Sequence, residues 1–149
     1  CPAEAWDDNA AVAAVSTVPL MLDEPICSLA DIKRAAKIDG VGFCKVKLKR
    51  FSSLEGLRDA LEAINELGMG AVLGDGLSSD IACWMEACVG ADLVYGAGEF
   101  NGFLKTRDRL MDPSLGFTDG HLDIPAGFEP RIDEDMLTAR TIERVVFEV

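Results

Sequence analysis

Hydrophobic and polar positions along the chain fall into short blocks whose period switches at regular intervals. Ala3 to Val15, with Trp6, Ala10, Val12 and Ala13, reads as a helix. Val18-Pro19-Leu20-Met21-Leu22 is then a continuous apolar run, halted by Asp23-Glu24-Pro25. Short runs of this kind suit strands buried on both faces of a parallel sheet. Ser28-Leu29-Ala30-Asp31 has the pattern of a helix capping box, and Leu29, Ile32 and Ala36 follow at helical spacing until Asp39-Gly40. Residues 41–48 change to period two, the mark of a strand. Phe43, Lys45, Lys47 and Lys49 share one face and Cys44, Val46 and Leu48 the other. Apolar helical segments flank this stretch on both sides, which predicts a covered sheet and at least one interior lysine. An interior ammonium needs a partner or a task.

The same sequence of blocks repeats. Ser52-Ser53-Leu54-Glu55 is a second capping signature, and Leu54, Leu57, Ala60, Leu61, Ile64 and Leu67 form one apolar stripe that stops at Gly68. Gly70 to Gly74 predicts a strand halted at Asp75-Gly76. Ser79 to Val89 predicts a capped helix with Ile81, Trp84, Met85, Cys88 and Val89 on its inner face, and Asp92 to Glu99 a fourth strand. The strand tips Asp23, Lys47, Asp75 and Glu99 recur every 24 to 28 residues. That pitch is a βα repeat, and right-handed crossovers place all four charged residues on one rim. In α/β folds this rim, at the C-terminal strand ends, is where chemistry is placed. After Lys105 the pattern changes. Residues 117–125 predict a hairpin turned at Asp119-Gly120, Asp133 to Thr141 a short helix, and Arg144 to Val149 a terminal strand.

Composition narrows the partners. A formal charge of −12 and a pI near 4.4 argue against nucleic acid and anionic membrane. The cluster Lys45-Lys47-Lys49-Arg50 does not reverse that balance. No apolar run reaches the ~18–20 residues of a membrane-spanning helix, and no signal peptide opens the chain. Cys1, Cys27, Cys44, Cys83 and Cys88 are an odd set without C-x-x-C spacing. Cys44, Cys83 and Cys88 fall at positions expected to be buried, which suits free thiols in a reducing, cytoplasmic setting. With His121 as the single histidine, beside a hairpin turn, a zinc site is not expected. Asp7-Asp8-Asn9 reads as a solvated helix face. The start at Cys1-Pro2 predicts a piece of something larger.

Asp, Lys, Asp and Glu at successive strand tips form a chemical inventory with two readings. Asp23 is a hard ligand suited to Mg2+, and a lysine among buried groups can serve as a general base. Equally, Lys45 or Lys47 can pair with Glu24 only to satisfy charge. Pro19-Leu20-Met21-Leu22-Asp23-Glu24-Pro25-Ile26, followed by Val46-Lys47-Leu48-Lys49-Arg50-Phe51-Ser52-Ser53-Leu54, resembles the enolase superfamily in its mandelate racemase/muconate lactonizing enzyme branch. There a D-E pair ends the fifth barrel strand and a lysine in a K-L-x-K-x-G-G-L context ends the sixth. Ser52-Ser53 stands here in place of G-G. The likeness continues through Gly74-Asp75-Gly76 and Glu99-Phe100-Asn101-Gly102 on the seventh and eighth strands, and the tail is similar to the family's closing segment.

The resemblance implies an α/β fold: the C-terminal half of a TIM-type (β/α) barrel, about four parallel βα units followed by a hairpin and terminal accessory elements. Residues 1–105 would hold strands five to eight. Residues 106–149 would pack on the barrel or on the family's N-terminal capping domain. Asp23 would be one carboxylate ligand of an essential Mg2+. Lys47 would be one of two acid/base catalysts at the α-carbon of a carboxylate substrate. Asp75, Glu99 and Asn101 would lie near that substrate, with Glu24 and Lys45 behind the front rank. The second base and two further metal carboxylates belong to segments that would precede Val18, so the missing N-terminal half is an expected partner, in a full-length enzyme expected to be a homo-oligomer. The runs Asp23-Glu24-Pro25-Ile26-Cys27-Ser28, Gly74-Asp75-Gly76-Leu77-Ser78-Ser79 and 99–105 look most like enzymes of proline-derived acids, above all the cis-3-hydroxy-L-proline dehydratases. A racemase or epimerase of such acids shares the same first step. A non-catalytic truncated chain is the alternative from a different class.

Overall fold

Three serines begin the helices of the repeat. Ser28 Oγ accepts from the Asp31 N–H, Ser53 Oγ from Gly56 and Ser79 Oγ from Ala82. Each satisfies a backbone donor that the first helical turn leaves open, an effect worth about 1 kcal/mol per cap. Asp31 answers in the opposite direction, its carboxylate accepting from the Cys27 N–H and the Ser28 hydroxyl. The computed structural model describes residues 5–74 and 77–146. Its order is α1 (Trp6–Val15), β1 (Leu20–Leu22), α2 (Leu29–Ala35), β2 (Val41–Val46), α3 (Leu48–Phe51), α4 (Leu54–Glu66), β3 (Gly70–Leu73) and α5 (Asp80–Gly90).

β1, β2 and β3 form a parallel sheet in sequence order, with Leu22 beside Cys44 and Cys44 beside Ala71. Leu22, Cys44, Val46, Ala71 and Leu73 point to the helices and are buried. They meet Ile32 and Ala35 of α2 and Leu57, Ala60, Leu61 and Ile64 of α4 in one core. The stripe predicted on α4 is therefore the packing face. This is part of a (β/α) barrel, with parallel strands inside and helices outside.

The remaining stretches depart from expectation in specific ways. Residues 92–99 do not form a strand. The segment is tied by Asn65 Nδ2 donating to the Leu93 carbonyl and by the Glu99 N–H donating to the Leu73 carbonyl at 2.8 Å. Gly96 and Gly98 deprive it of the side chains with which a strand packs. On α5 the buried residues are Asp80, Cys83, Glu86, Ala87, Val89 and Gly90, so Val89 lies inside as expected, while Ile81, Trp84 and Met85 are half-buried and Cys88 is exposed. The reason is that α5 is fastened by two buried carboxyl groups, a role that an apolar stripe cannot reveal. β2 ends at Val46, two residues before the predicted end, because Lys47 already begins the turn into α3.

Beyond a 3-10 turn at Gly102–Lys105, short strands β4 (Met111–Asp112), β5 (Phe117–Thr118), β6 (His121–Leu122) and β7 (Arg131–Ile132) precede α6 (Glu134–Arg140). β5 and β6 are the expected hairpin, turned through Asp119 (φ 50°) and Gly120 (φ 81°) as a two-residue loop requires. β4 pairs with β7. Cys83, Phe103, Met111 and Leu115 make a second small core. Asp80, 1% exposed, accepts from the Leu110 and Met111 N–H groups and so pins this segment to the start of α5. Residues 144–146 are irregular where a terminal strand was expected, and 147–149 lie outside the described residues. No helix among the described residues is long and apolar enough to cross a membrane.

Candidate active site

The sheet face turned away from the helices carries Met21, Phe43, Lys45 and Val72, followed at the strand ends by Asp23 and Lys47. Its polarity is inverted. Met21 and Phe43 are 44% and 40% exposed, whereas Lys45 and Lys47 are 7% and 9%. A hollow of about 390 Å3 on this face is lined by Met21, Phe43, Gly70, Val72, Tyr95 and Ala97. The lysines are buried because carboxylates close over them. Lys47 Nζ meets the two Asp23 oxygens at 2.8 and 3.1 Å. Lys45 Nζ lies 2.5 Å from Glu99 Oε2 and 3.6 Å from Asp23.

Arg50, on α3, completes the cluster. One guanidinium nitrogen donates to Asp23 Oδ1 at 3.0 Å, to the Asp23 carbonyl at 2.5 Å and to the Ile26 carbonyl at 3.3 Å. Burial by itself would raise the Asp23 carboxyl. The Lys47 hydrogen bond and charge, with Lys45 and Arg50, outweigh that and hold it below its ordinary value. Burial would likewise lower Lys45, but the Glu99 hydrogen bond and the Asp23 and Glu99 charges raise it overall. Lys45 is thus held as a cation.

Glu99 reaches Lys45 because of a glycine. Gly74 has φ +133°, and a Cβ there would collide with the Glu99 backbone. The close approach of residues 74 and 99 sets the carboxylate over the end of β3. Sequence reasoning placed Glu99 near the substrate and sought the partner of Lys45 at Glu24 or Asp23. Glu24 is exposed, and the Lys45 ammonium pairs instead with Glu99, with Asp23 farther off. Lys49, beyond the strand, is also exposed. Asn101 lies apart from the lysines, on the wall of a cavity of about 810 Å3 shared with Tyr95, Phe100, Phe117 and His121. Asp75 lies outside the described residues. Arg50 and Glu86 were not singled out from the sequence. Glu86 could have been, as the single charged residue between Asp80 and Asp92.

Residues 1–130 match the family described as enolase C-terminal domain-like. The chain belongs to that family. Solved structures, among them a muconate lactonizing enzyme, share its fold. The muconate lactonizing enzyme of Klebsiella pneumoniae superposes with a TM-score of 0.80 at 21% identity, over 92% of this chain and 40% of that one. The N-succinyl Arg/Lys racemase of Bacillus cereus gives 0.77 at 19% identity, over 92% and 37%. The L-Ala-D/L-Glu epimerase of Bacillus subtilis gives 0.70 at 14%, over 79% and 34%. The chain thus spans about 40% or less of the length of these structures. No curated protein sequence matches it significantly.

Enzymes of this family generally use Mg2+. Among the described residues no group of three or more His, Cys, Asp or Glu side chains stands close enough together to hold a metal ion. Asp23 offers one hard oxygen donor on the open rim, and in this geometry the Lys47 ammonium occupies both its oxygens. One donor fits Mg2+ in kind, not in number.

Proposed function

We propose that this chain is the C-terminal part of an enolase-superfamily enzyme that removes the α-proton of a carboxylate substrate. The observation that carries the reading is Lys47: a buried lysine on the open face, at the C-terminal end of a parallel strand, held 2.8 Å from a carboxylate on the adjacent strand. Lys47 is the acid/base group on one side of the α-carbon. Asp23 orients its Nζ and contributes one ligand to Mg2+, whose remaining ligands come from outside these 149 residues. Mg2+, when bound, supplies positive charge at the substrate carboxylate, where negative charge builds as the α-carbon loses its proton. Lys45, paired with Glu99, stays charged and serves as a fixed cation behind Lys47. Asp75, Glu99 and Asn101 are the candidates to meet the substrate beyond its α-carbon.

Two outcomes share this proton removal. Dehydration of a hydroxyproline-type imino acid is supported by the runs at 23–28, 74–79 and 99–105. Racemisation or epimerisation is supported by the racemase and epimerase among the similar structures. The enzyme is accordingly a lyase or an isomerase. Residues 106–149 are proposed to pack on the barrel or capping domain. Free thiols fit a cytoplasmic setting, and a homo-oligomer is proposed for the whole enzyme.

The test is exchange in D2O by the full-length protein, with proline and cis-3-hydroxy-L-proline as substrates. Lys47→Ala is expected to lower exchange of one α-proton by about 10²–10⁴-fold, the usual contribution of a positioned acid or base, while Mg2+ binding persists. Unchanged exchange removes Lys47 from the reaction. Loss of water from the hydroxylated substrate identifies the dehydratase, and deuterium incorporation without elimination the epimerase. The 149-residue chain alone is expected to bind Mg2+ weakly and to exchange neither substrate.

A further inference from the structure

α2, α4, α5 and α6 begin at Ser28, Ser53, Ser79 and Asp133, each of which caps the helix with its own side chain. α3 is different. Its cap position is Lys47, in extended conformation (φ −139°, ψ 136°) and with no side-chain cap bond. A lysine has no acceptor to offer, and its ammonium is turned to Asp23. The Leu48 N–H is instead accepted by Oε1 of Glu86 at 2.9 Å, a side chain 2% exposed that reaches over from α5. The carbonyl of Lys47 accepts from the Arg50 N–H at 3.0 Å, closing the turn on its other side.

We infer that Glu86 is a positioning residue for Lys47. By holding the amide directly after Lys47, it fixes the backbone at the end of β2 without drawing on the lysine side chain. The first turn of α3 is thereby capped from a neighbouring βα unit, and Lys47 Nζ is left for the carboxylate and the substrate. Arg50 works from the same turn in the opposite direction, gripping the loop after β1 through the carbonyls of Asp23 and Ile26. α3 is thus a bracket between α5 and β1 that sets the distance from Lys47 to Asp23. This inference rests on the proposed role of Lys47.

Full-length Glu86→Leu, Glu86→Asp and Glu86→Gln test it. Misplacement of a catalytic group by about 1 Å can cost 10²-fold, so Glu86→Leu is expected to lower kcat for α-proton exchange by about 10–100-fold with KM within about twofold. Glu86→Gln, whose amide oxygen still accepts the Leu48 N–H, is expected to stay within about threefold of the unaltered enzyme. The Leu48 amide proton should shift upfield in Glu86→Leu and stay in place in Glu86→Gln. Glu86→Asp, one methylene too short, is expected to follow Glu86→Leu and serves in its place if the leucine variant does not fold. A lowered Tm with unchanged kcat per folded molecule, or a glutamine variant as impaired as the leucine one, overturns the inference. The proposed function fails separately, in Lys47→Ala with Glu86 intact.

Discussion

The two faces of the three-stranded sheet come from alternate residues of the same short segments, yet they obey opposite rules. On the helix side, Leu22, Cys44, Val46, Ala71 and Leu73 are buried against α2 and α4. On the other side the apolar residues Met21 and Phe43 are exposed, and the residues withdrawn from solvent are Lys45 and Lys47. The helix side is built for stability, since each apolar side chain contributes in proportion to the area it removes from water. The open side spends stability on holding charges close together, which is the arrangement expected of a site and not of a core.

The largest effect should come from the helix side. Leu73→Ala is expected to cost about 2–5 kcal/mol, transfer and cavity terms together. Phe43→Ala, on the opposite face of the same sheet, should cost clearly less, because 40% of its surface stays in water and no enclosed cavity is left behind. Urea melts of the two variants make the comparison. Equal losses would mean that the open face is as much a core as the covered one.

A smaller effect should appear in acid. The Asp23 carboxyl is held below its ordinary value near 3.8. The unfolded chain therefore takes up this proton first, and the stabilisation is complete above that value and lost as the pH falls through the lower, folded one. Metal-free protein should lose this part of its stability below about pH 4. The acid limb of Asp23→Asn should be correspondingly flatter, and superimposable limbs would show that the charges around Asp23 do not couple to folding.

The smallest effect belongs to Lys45. Lys45 is buried but its partner Glu99 is half-exposed, so water screens the carboxylate end and keeps the pair at the roughly 0–1 kcal/mol of surface pairs. Lys45→Met keeps the stem and removes the charge, so thermal stability should move by no more than about 1 kcal/mol, in either direction. A loss as large as that of Leu73→Ala would place Lys45 among the structural residues.

The βα register was legible because period and capping are local. Serine caps at Ser28, Ser53 and Ser79, an apolar stripe on α4 and the alternation in 41–46 survive into the structure nearly as read. The lysine strand also announced itself, since cations at every second position of a covered strand conflict with burial. What lay hidden depended on distant partners. Glu99 finds Lys45 only because Gly74 lets the two backbones approach. The inner face of α5 is set by Asp80, which accepts from backbone donors at residues 110–111, and by Glu86, one oxygen of which accepts from the backbone at residue 48.

The order β1–α2–β2–α4–β3–α5, the three serine caps and the rim on which Asp23 and Lys47 stand follow from local sequence, because helical and strand periods and hydrogen-bonding caps act over a few residues. Which carboxylate closes each lysine was left to tertiary packing. It alone decided that 92–99 runs as an irregular segment and that Lys47 is capped from α5. Each of those outcomes turns on distances between groups far apart in the chain, and such distances exist only once the sheet and its helices have packed.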